Sequence, residues 1–471
     1  MTKKVEEIKS VPSHPAKSFF VSMLTRDIDL QDAILDLLDN CVDGAIRDRN
    51  KGMAEKDSFK GYWARITFNE DKFVIEDNCG GIPWKIAKDY AFCLGRREGL
   101  PPTKPGTIGV VGIGMKRAIF KMGRECHVLS NHKDDAFLVT IPPSWFGDEK
   151  WTDFHADRVK PTTKDYGTIL EIENLTDDAK KDFGEGSGFS VNFPVMVAES
   201  YSILIEKGFE VWINKAKVKP RPVKLYFESP DKPDRRTKLI RPYIYQCKKG
   251  DVEVFLAVGY RSPLKTQQEL DEDAKGSFAA KEAGWTVVCN NRVVLSNDRT
   301  VKTGWGVPGV PHFHNQFSCI AGIVEFRAPN TGDLPVTTTK RGIDAGKEIY
   351  LLVLQRMQDG LKQFTRNTNR WKGNEIKLKE RFKDLPILDL MELEVVAEKL
   401  PLHTLRGDGF QKQFTPTLPE EVKVVTDRRI SFVRKLADIE RVSRYLFDGE
   451  IRKPDEVGGT CFDRTLREAK K

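Results

Sequence analysis

Four oxygen-bearing side chains, Asp32, Asp36, Asn40 and Asp43, follow one another at spacings of four, four and three residues. On a helix, such spacings stack them along one edge. No Lys or Arg interrupts the row before Arg47, whereas an ordinary solvated helix face intersperses basic residues among the acidic ones. A line of hard oxygen donors suits Mg2+, which takes few protein ligands and leaves positions for water and phosphate oxygens. Taken alone, the row also fits a plain acidic surface, so its chemistry depends on what else the chain brings near it.

Two later segments bring groups suited to a nucleotide. Residues 73–83, FVIEDNCGGIP, read as a short β-branched strand entering an acidic turn with paired glycines. Residues 106–123, GTIGVVGIGMKRAIFKMG, read as a glycine-rich loop opening a helix, where backbone N–H groups can face phosphate. Two familiar glycine motifs fail at this place. From Gly109 the P-loop spacing reaches Gly114, but Met115 and Lys116 follow where Lys and then Ser or Thr are required. A dinucleotide fingerprint fails as well, because Arg117 stands where its third glycine belongs.

The elements that must hold these groups are legible from periodicity. Leu30, Ala33, Ile34, Leu37, Leu38, Cys41, Val42, Ala45 and Ile46 recur at helical spacing, so residues 30–47 are expected to form an amphipathic helix with the oxygen row at its margin. Residues 62–68 and 72–76 alternate as neighbouring strands. Residues 166–175, YGTILEIENL, give a further strand entered through Gly167 and Thr168.

A helix with Asp36 and Asn40, then DNxGG, then GxxGxG, then Gly-Thr is the ordered motif set of the GHKL, or Bergerat-fold, ATPases, and the first third of the chain resembles that superfamily. The resemblance implies an α+β protein with an ATP-binding α/β sandwich at its start. It implies that Asp36 orients and deprotonates water, that Asn40 holds Mg2+ on ATP, and that Asp77 and Thr168 hold adenine. Gly81 supports the turn; Gly109, Gly112, Gly114 and Lys116 belong to a lid over the phosphates, with Lys116 the leading phosphate partner, Lys104 a further candidate, and Arg96 and Arg97 read as decorating the loop. Most family members carry Glu at the position of Asp36. Asp is shorter by one C–C bond, roughly 1.5 Å, and a misplacement of about 1 Å can cost on the order of a hundredfold in rate. Slow turnover is therefore expected.

After the first domain, set at residues 1–188 with an apolar strap at 18–24, the resemblance extends into residues 189–345. TVVCNNRVVLSND at 286–298 is similar to the NxR strand of MutL-type transducer domains, and LPVTTTKRGI at 334–343 is similar to the loop ending in the switch lysine, here Lys340. The strap is expected either to cross to a second protomer or to pack on its own domain. Residues 346–471 alternate helical and highly charged stretches around a Pro-punctuated linker and are expected to be a helical region.

Composition bounds the rest. The 471 residues exceed one ordinary domain, and 39% hydrophobic residues can build real cores. Lys and Arg outnumber Asp and Glu by 77 − 69 = 8, a mild excess that permits an anionic partner without requiring one. Eight cysteines without a CxxC pair indicate neither a zinc site nor a disulfide framework. No apolar run approaches a membrane span, so a cytoplasmic protein is expected. The function expected is an ATP-gated homodimeric clamp on DNA, MORC- or MutL-like, with a separate effector protein; the alternative is a chaperone-like remodelling or signalling ATPase without nucleic acid.

Overall fold

The computed structural model describes residues 16–49, 54–93, 106–108, 112–161, 166–229, 238–273, 282–337, 339–405, 409–420 and 429–470. Gly109, Arg96, Arg97 and Lys104 lie outside them. The chain is mixed α and β, built on two large sheets, with helices at its C-terminal end. Residues 1–420 form one compact unit and residues 421–471 another, the second consisting of helices Leu436–Leu446 and Pro454–Ala469. Among the described residues no helix is long and apolar enough to cross a membrane.

Helices α1 (Lys17–Arg26) and α2 (Leu30–Asp48) lead into the first sheet. Its strands are β1 (Trp63–Phe68), β2 (Phe73–Asp77), β3 (Gly123–Asn131), β4 (Ala136–Ile141), β5 (His155–Arg158), β6 (Gly167–Leu175), β7 (Glu210–Ile213) and β8 (Ala216–Lys217), in the order β5-β4-β3-β6-β2-β1-β7-β8. All neighbours run antiparallel except β1 and β7. Burial alternates along these strands: Ala64, Ile66 and Phe68 of β1 and Phe73 and Ile75 of β2 are buried. That period of two means one face is covered and the other faces water. The cover includes α2 and helix Gly114–Met122, which pack against each other and share one core with the sheet.

The second sheet obeys a different rule. Its order is β13-β12-β14-β11-β10-β17-β16, with β10 (Tyr243–Lys249), β11 (Val252–Tyr260), β12 (Gly284–Cys289), β13 (Arg292–Asp298), β14 (Ile320–Arg327), β16 (His403–Thr404) and β17 (Phe410–Phe414), while the short β9 (Leu225–Tyr226) and β15 (Ile387–Leu388) pair with each other. Every residue of β12 and nearly every one of β11 and β14 is buried, so their sequences are largely apolar, with Thr286 and Glu325 as buried polar exceptions. Helix Glu348–Arg370 covers one face through Tyr350, Val353, Met357, Leu361 and Phe364. Ile203, Leu390, Leu393 and Ala397 cover the other. The stretch after residue 345 thus supplies strands β16 and β17 to this sheet as well as helices.

The strap forms α1 and packs on its own chain. Phe20 meets Trp151 edge to face at 5.6 Å, and the buried Lys17 ammonium donates to the carbonyls of Trp145 and, at 2.9 Å, Lys150. Phe19 and Met23 remain exposed.

Gly167 marks the tightest approach in the first sheet: a Cβ there would overlap the Asp77 carbonyl. The backbone of β6 can lie against the end of β2 only because position 167 has no side chain. Gly167→Ala is therefore expected to destabilise the chain by about 2 kcal/mol or more, as overpacked sites do. Urea unfolding would check this, and an unchanged midpoint would contradict the packing described.

Candidate functional site

Helix α2 runs with its apolar stripe in the first core and its carboxylates toward the loops and strands of the second sheet. Gly44 sets its depth, since a Cβ there would come within 2.7 Å of the Cys79 carbonyl. The acidic row splits once packed. Asp36, Asp39 and Asp43 are buried, and Asn40 is exposed.

Asp39 is the most enclosed of the four, at 1% exposure, and collects three donors. Its Oδ1 accepts from Tyr201 Oη at 2.6 Å and Arg292 Nε at 3.0 Å, and its Oδ2 accepts from Lys340 Nζ at 2.9 Å. These partners come from the end of helix Gly188–Ser200, from β13, and from the Thr-rich loop 301 residues away from Asp39. Burial alone would raise the Asp39 carboxyl, but the Lys340 and Arg292 charges outweigh it and hold the group below its usual range. Reciprocally, burial opposes and the Asp39 and Asp36 charges overcome it to raise Lys340.

Asp36 lies one turn earlier on α2. Its Oδ2 accepts from Arg117 at 2.5 Å, while its Oδ1 stands 3.6 Å from the Lys340 ammonium, beyond hydrogen-bonding distance. Asp32 pairs with Arg341, the residue after Lys340. Asp43 Oδ1 accepts the Ile108 N–H at 2.6 Å, tying α2 to the glycine-rich segment. That segment also reaches the second sheet's side of the unit, where Thr331 Oγ1 donates to the Thr107 carbonyl and the Gly106 N–H donates to Pro329 at 3.2 Å.

A second cluster forms where β2 ends. Asp77 Oδ1 accepts the Cys79 N–H at 2.8 Å, and the carboxylate also receives the Thr168 N–H. Burial pushes the Asp77 carboxyl up to about 6, against these hydrogen bonds and one from Cys41. Gly81 has a left-handed φ of +69° and presses on Asn131, while Ser130 bonds both backbone groups of Ile82. The turn is held on both sides.

The residues named from sequence are therefore placed unevenly. Asp36 and Lys340 come together; Asp77 and Thr168 come together; Asn40 is on the exposed edge of α2. Gly112 and Gly114 flank the start of helix Gly114–Met122, with Gly114 beside the Asp36 side chain. Lys116 is buried and donates to the carbonyls of Ala91 (2.8 Å) and Gly112, and burial lowers it to about 8. It ties down the backbone at the two ends of the lid segment in place of facing outward. Sequence reasoning did not assign roles to Arg117, Tyr201 or Arg292. Arg292 was visible within the NNR strand; nothing local to Tyr201 signals its contact with α2.

Among the described residues, the side chains that could share a metal ion are Glu125, His127 and Glu173, half-buried on β3 and β6 and not part of the α2 cluster. A scan against protein-family models gives no match to this chain, and neither does a search of curated proteins.

Breaking a buried ion pair leaves an uncompensated charge at a cost of about 3–5 kcal/mol. Since Arg292 would still face Asp39, Lys340→Met is expected near the lower end, about 3 kcal/mol. The Lys340 ammonium is raised, so its contribution is complete below about pH 10 and is lost as pH climbs past the folded value; the Asp39 carboxyl is lowered, so the contribution is complete above about pH 4 and is lost on acidification. The difference between wild type and Lys340→Met in chemical denaturation should be flat between these limits and shrink outside them. A difference that varies steadily through neutral pH would contradict the pairing.

Proposed function

We propose that this chain is a GHKL-type ATPase, with a Bergerat ATP-binding domain over residues 1–188 and a transducer-like domain over 189–345, working as a nucleotide-gated homodimeric clamp on DNA or within a DNA-associated complex. The observation that carries the reading is the meeting of Lys340 and Asp36, at 3.6 Å, from motifs that the resemblance assigns separately to a switch lysine and a water-activating carboxylate. The Asp77–Thr168 hydrogen bond is the second support, because both residues were matched to the adenine end of the site.

In this reading Asp77 accepts a hydrogen bond from the exocyclic amine of adenine, and the triphosphate extends along α2 beneath the glycine-rich segment. Asp36 Oδ1 takes a proton from the water that attacks the γ-phosphorus, the bond to the β-phosphate oxygen breaks, and ADP and phosphate leave. Lys340 neutralises charge on the terminal phosphoryl group. Asn40 fits Mg2+, since its carboxamide is a hard oxygen donor on the exposed edge of α2; the ion would neutralise charge on the β- and γ-phosphates. Arg117 orients Asp36 through Oδ2. The short Asp side chain favours slow turnover. The exposed Phe19 and Met23 on α1 offer an apolar contact for a second protomer, and the net excess of 8 positive charges favours an anionic partner such as DNA.

Asp77→Asn should weaken ATP binding by more than about 1 kcal/mol through loss of a charge-assisted hydrogen bond. In the wild type, affinity should fall as pH drops through about 6, where Asp77 takes up a proton. Asp36→Asn should keep ATP affinity and lose hydrolysis. Calorimetry and a phosphate-release assay read both effects, and normal affinity in Asp77→Asn together with normal turnover in Asp36→Asn would end the ATPase reading. Ultracentrifugation with a non-hydrolysable analogue tests the clamp, and DNA affinity that does not fall with salt would turn the reading toward a protein-remodelling ATPase.

A further inference from the structure

We infer that Tyr201 and Arg292 are positioning residues for the reaction proposed above: by locking the Asp39 carboxylate they set how tightly Lys340 is held beside Asp36, and so tie turnover to the seating of the second sheet on α2. The inference rests on the ATPase reading.

Tyr201, Arg292 and Asp39 are each at most 2% exposed, so none can exchange its partners for water. Arg292 is fixed from three sides. Its Nη1 donates to the Val293 carbonyl at 2.7 Å and the Ser200 carbonyl at 3.2 Å, its Nε donates to Asp39, and its guanidinium lies 4.4 Å from the centre of the Tyr201 ring. The single Tyr201 hydroxyl proton faces Asp39 Oδ1 at 2.6 Å, with the Leu35 carbonyl one turn earlier on α2 at 2.9 Å as a second, shared acceptor. Lys340 is the least enclosed member: it sits in the turn between Val336 and Ile343, carries a left-handed φ of +57°, and keeps 14% of its side chain exposed.

The physical consequence follows from charge. Two carboxylates compete for one ammonium, with Asp39 at 2.9 Å and Asp36 at 3.6 Å. If Asp39 were unpaired, its attraction would dominate in so enclosed a place and withdraw Lys340 from any third partner. Because Arg292 and Tyr201 already satisfy Oδ1, the ammonium is held by one bond and can serve a phosphate oxygen. Around this ammonium stand Asp36, Asp39 and Asp43 from α2, Arg117 from helix Gly114–Met122 beside Asp36, Arg292 from β13, Tyr201, and the neighbouring Arg341–Asp32 pair.

The test uses the full chain, with ATP affinity and hydrolysis measured across pH for Tyr201→Phe, Arg292→Lys and Asp39→Asn. Tyr201→Phe and Arg292→Lys keep most of the volume or the charge, and thermal melts check that they fold. ATP affinity should stay within about threefold, since adenine is held at Asp77, while kcat should fall about tenfold in Arg292→Lys and less in Tyr201→Phe, as expected when a reacting group is misplaced by part of an ångström. In Asp39→Asn the alkaline limb of kcat should move to lower pH, because the carboxylate that raises Lys340 is gone; a purely structural role would leave that limb in place. Unchanged kcat in both Tyr201→Phe and Arg292→Lys, loss of ATP binding in step with kcat, or an unmoved alkaline limb would each overturn the inference. Wild-type protein that does not bind ATP would instead remove the ATPase reading beneath it.

Discussion

A carboxylate cannot be enclosed in protein without partners, and Asp39 is enclosed almost completely. Its partners come from three later parts of the chain: Tyr201, Arg292 and Lys340. The packed position of α2 is therefore compatible with its buried charge only where the second sheet and its loops supply these partners. The Tyr201 hydroxyl that meets Asp39 also lies 2.9 Å from the Leu35 carbonyl, one turn upstream on α2. Two large elements that could have been independent domains are in this way tied at a point of opposite charge, and the tie lies next to the groups best suited to chemistry.

The two sheets divide the work according to how they are buried. The first has one wet face and a core beneath α2, and its strand ends leave Asp77 and Thr168 half-buried beside each other. The second is buried on both faces by helix Glu348–Arg370 and by the layer around Leu390 and Leu393, which makes it stiff. A stiff support suits Arg292 and the loop carrying Lys340. Between the two lies the glycine-rich segment, joined to α2 at Asp43 and to the far side at Thr331 and Pro329. Any movement of that segment is felt at both ends.

Much of this was readable from residues alone. The helix at 30–48 followed from its apolar spacing, the strands at 63–68 and 73–77 from alternation, and the strand at 167–175 from its Gly-Thr entry. Asp36 and Lys340 were named from motif order, and they meet in the folded unit. Local pattern sufficed for the helix and strands because each of those signals is carried by neighbouring residues under a single geometric period, whereas Asp36 and Lys340 were given roles only through the family resemblance.

Other features needed the tertiary structure. The row Asp32, Asp36, Asn40 and Asp43 looked uniform as sequence, yet packing sorts it into two buried carboxylates, Asp36 and Asp43, the half-buried Asp32 and one exposed amide. Lys116 looked like a phosphate ligand because it follows the glycines; in the fold it is buried and its ammonium donates to the Ala91 and Gly112 carbonyls. The strands at 403–404 and 410–414 lie in a stretch whose sequence reads as helix and linker, and they exist because β10 offers an open edge. Tyr201 and Arg292 carried no sign of their role, for their meaning depends on a contact with Asp39 across more than a hundred residues. The sequence determined the elements and the residues able to do chemistry; only the tertiary structure decided which charges are buried together, because pairing across such distances is set by packing and not by period.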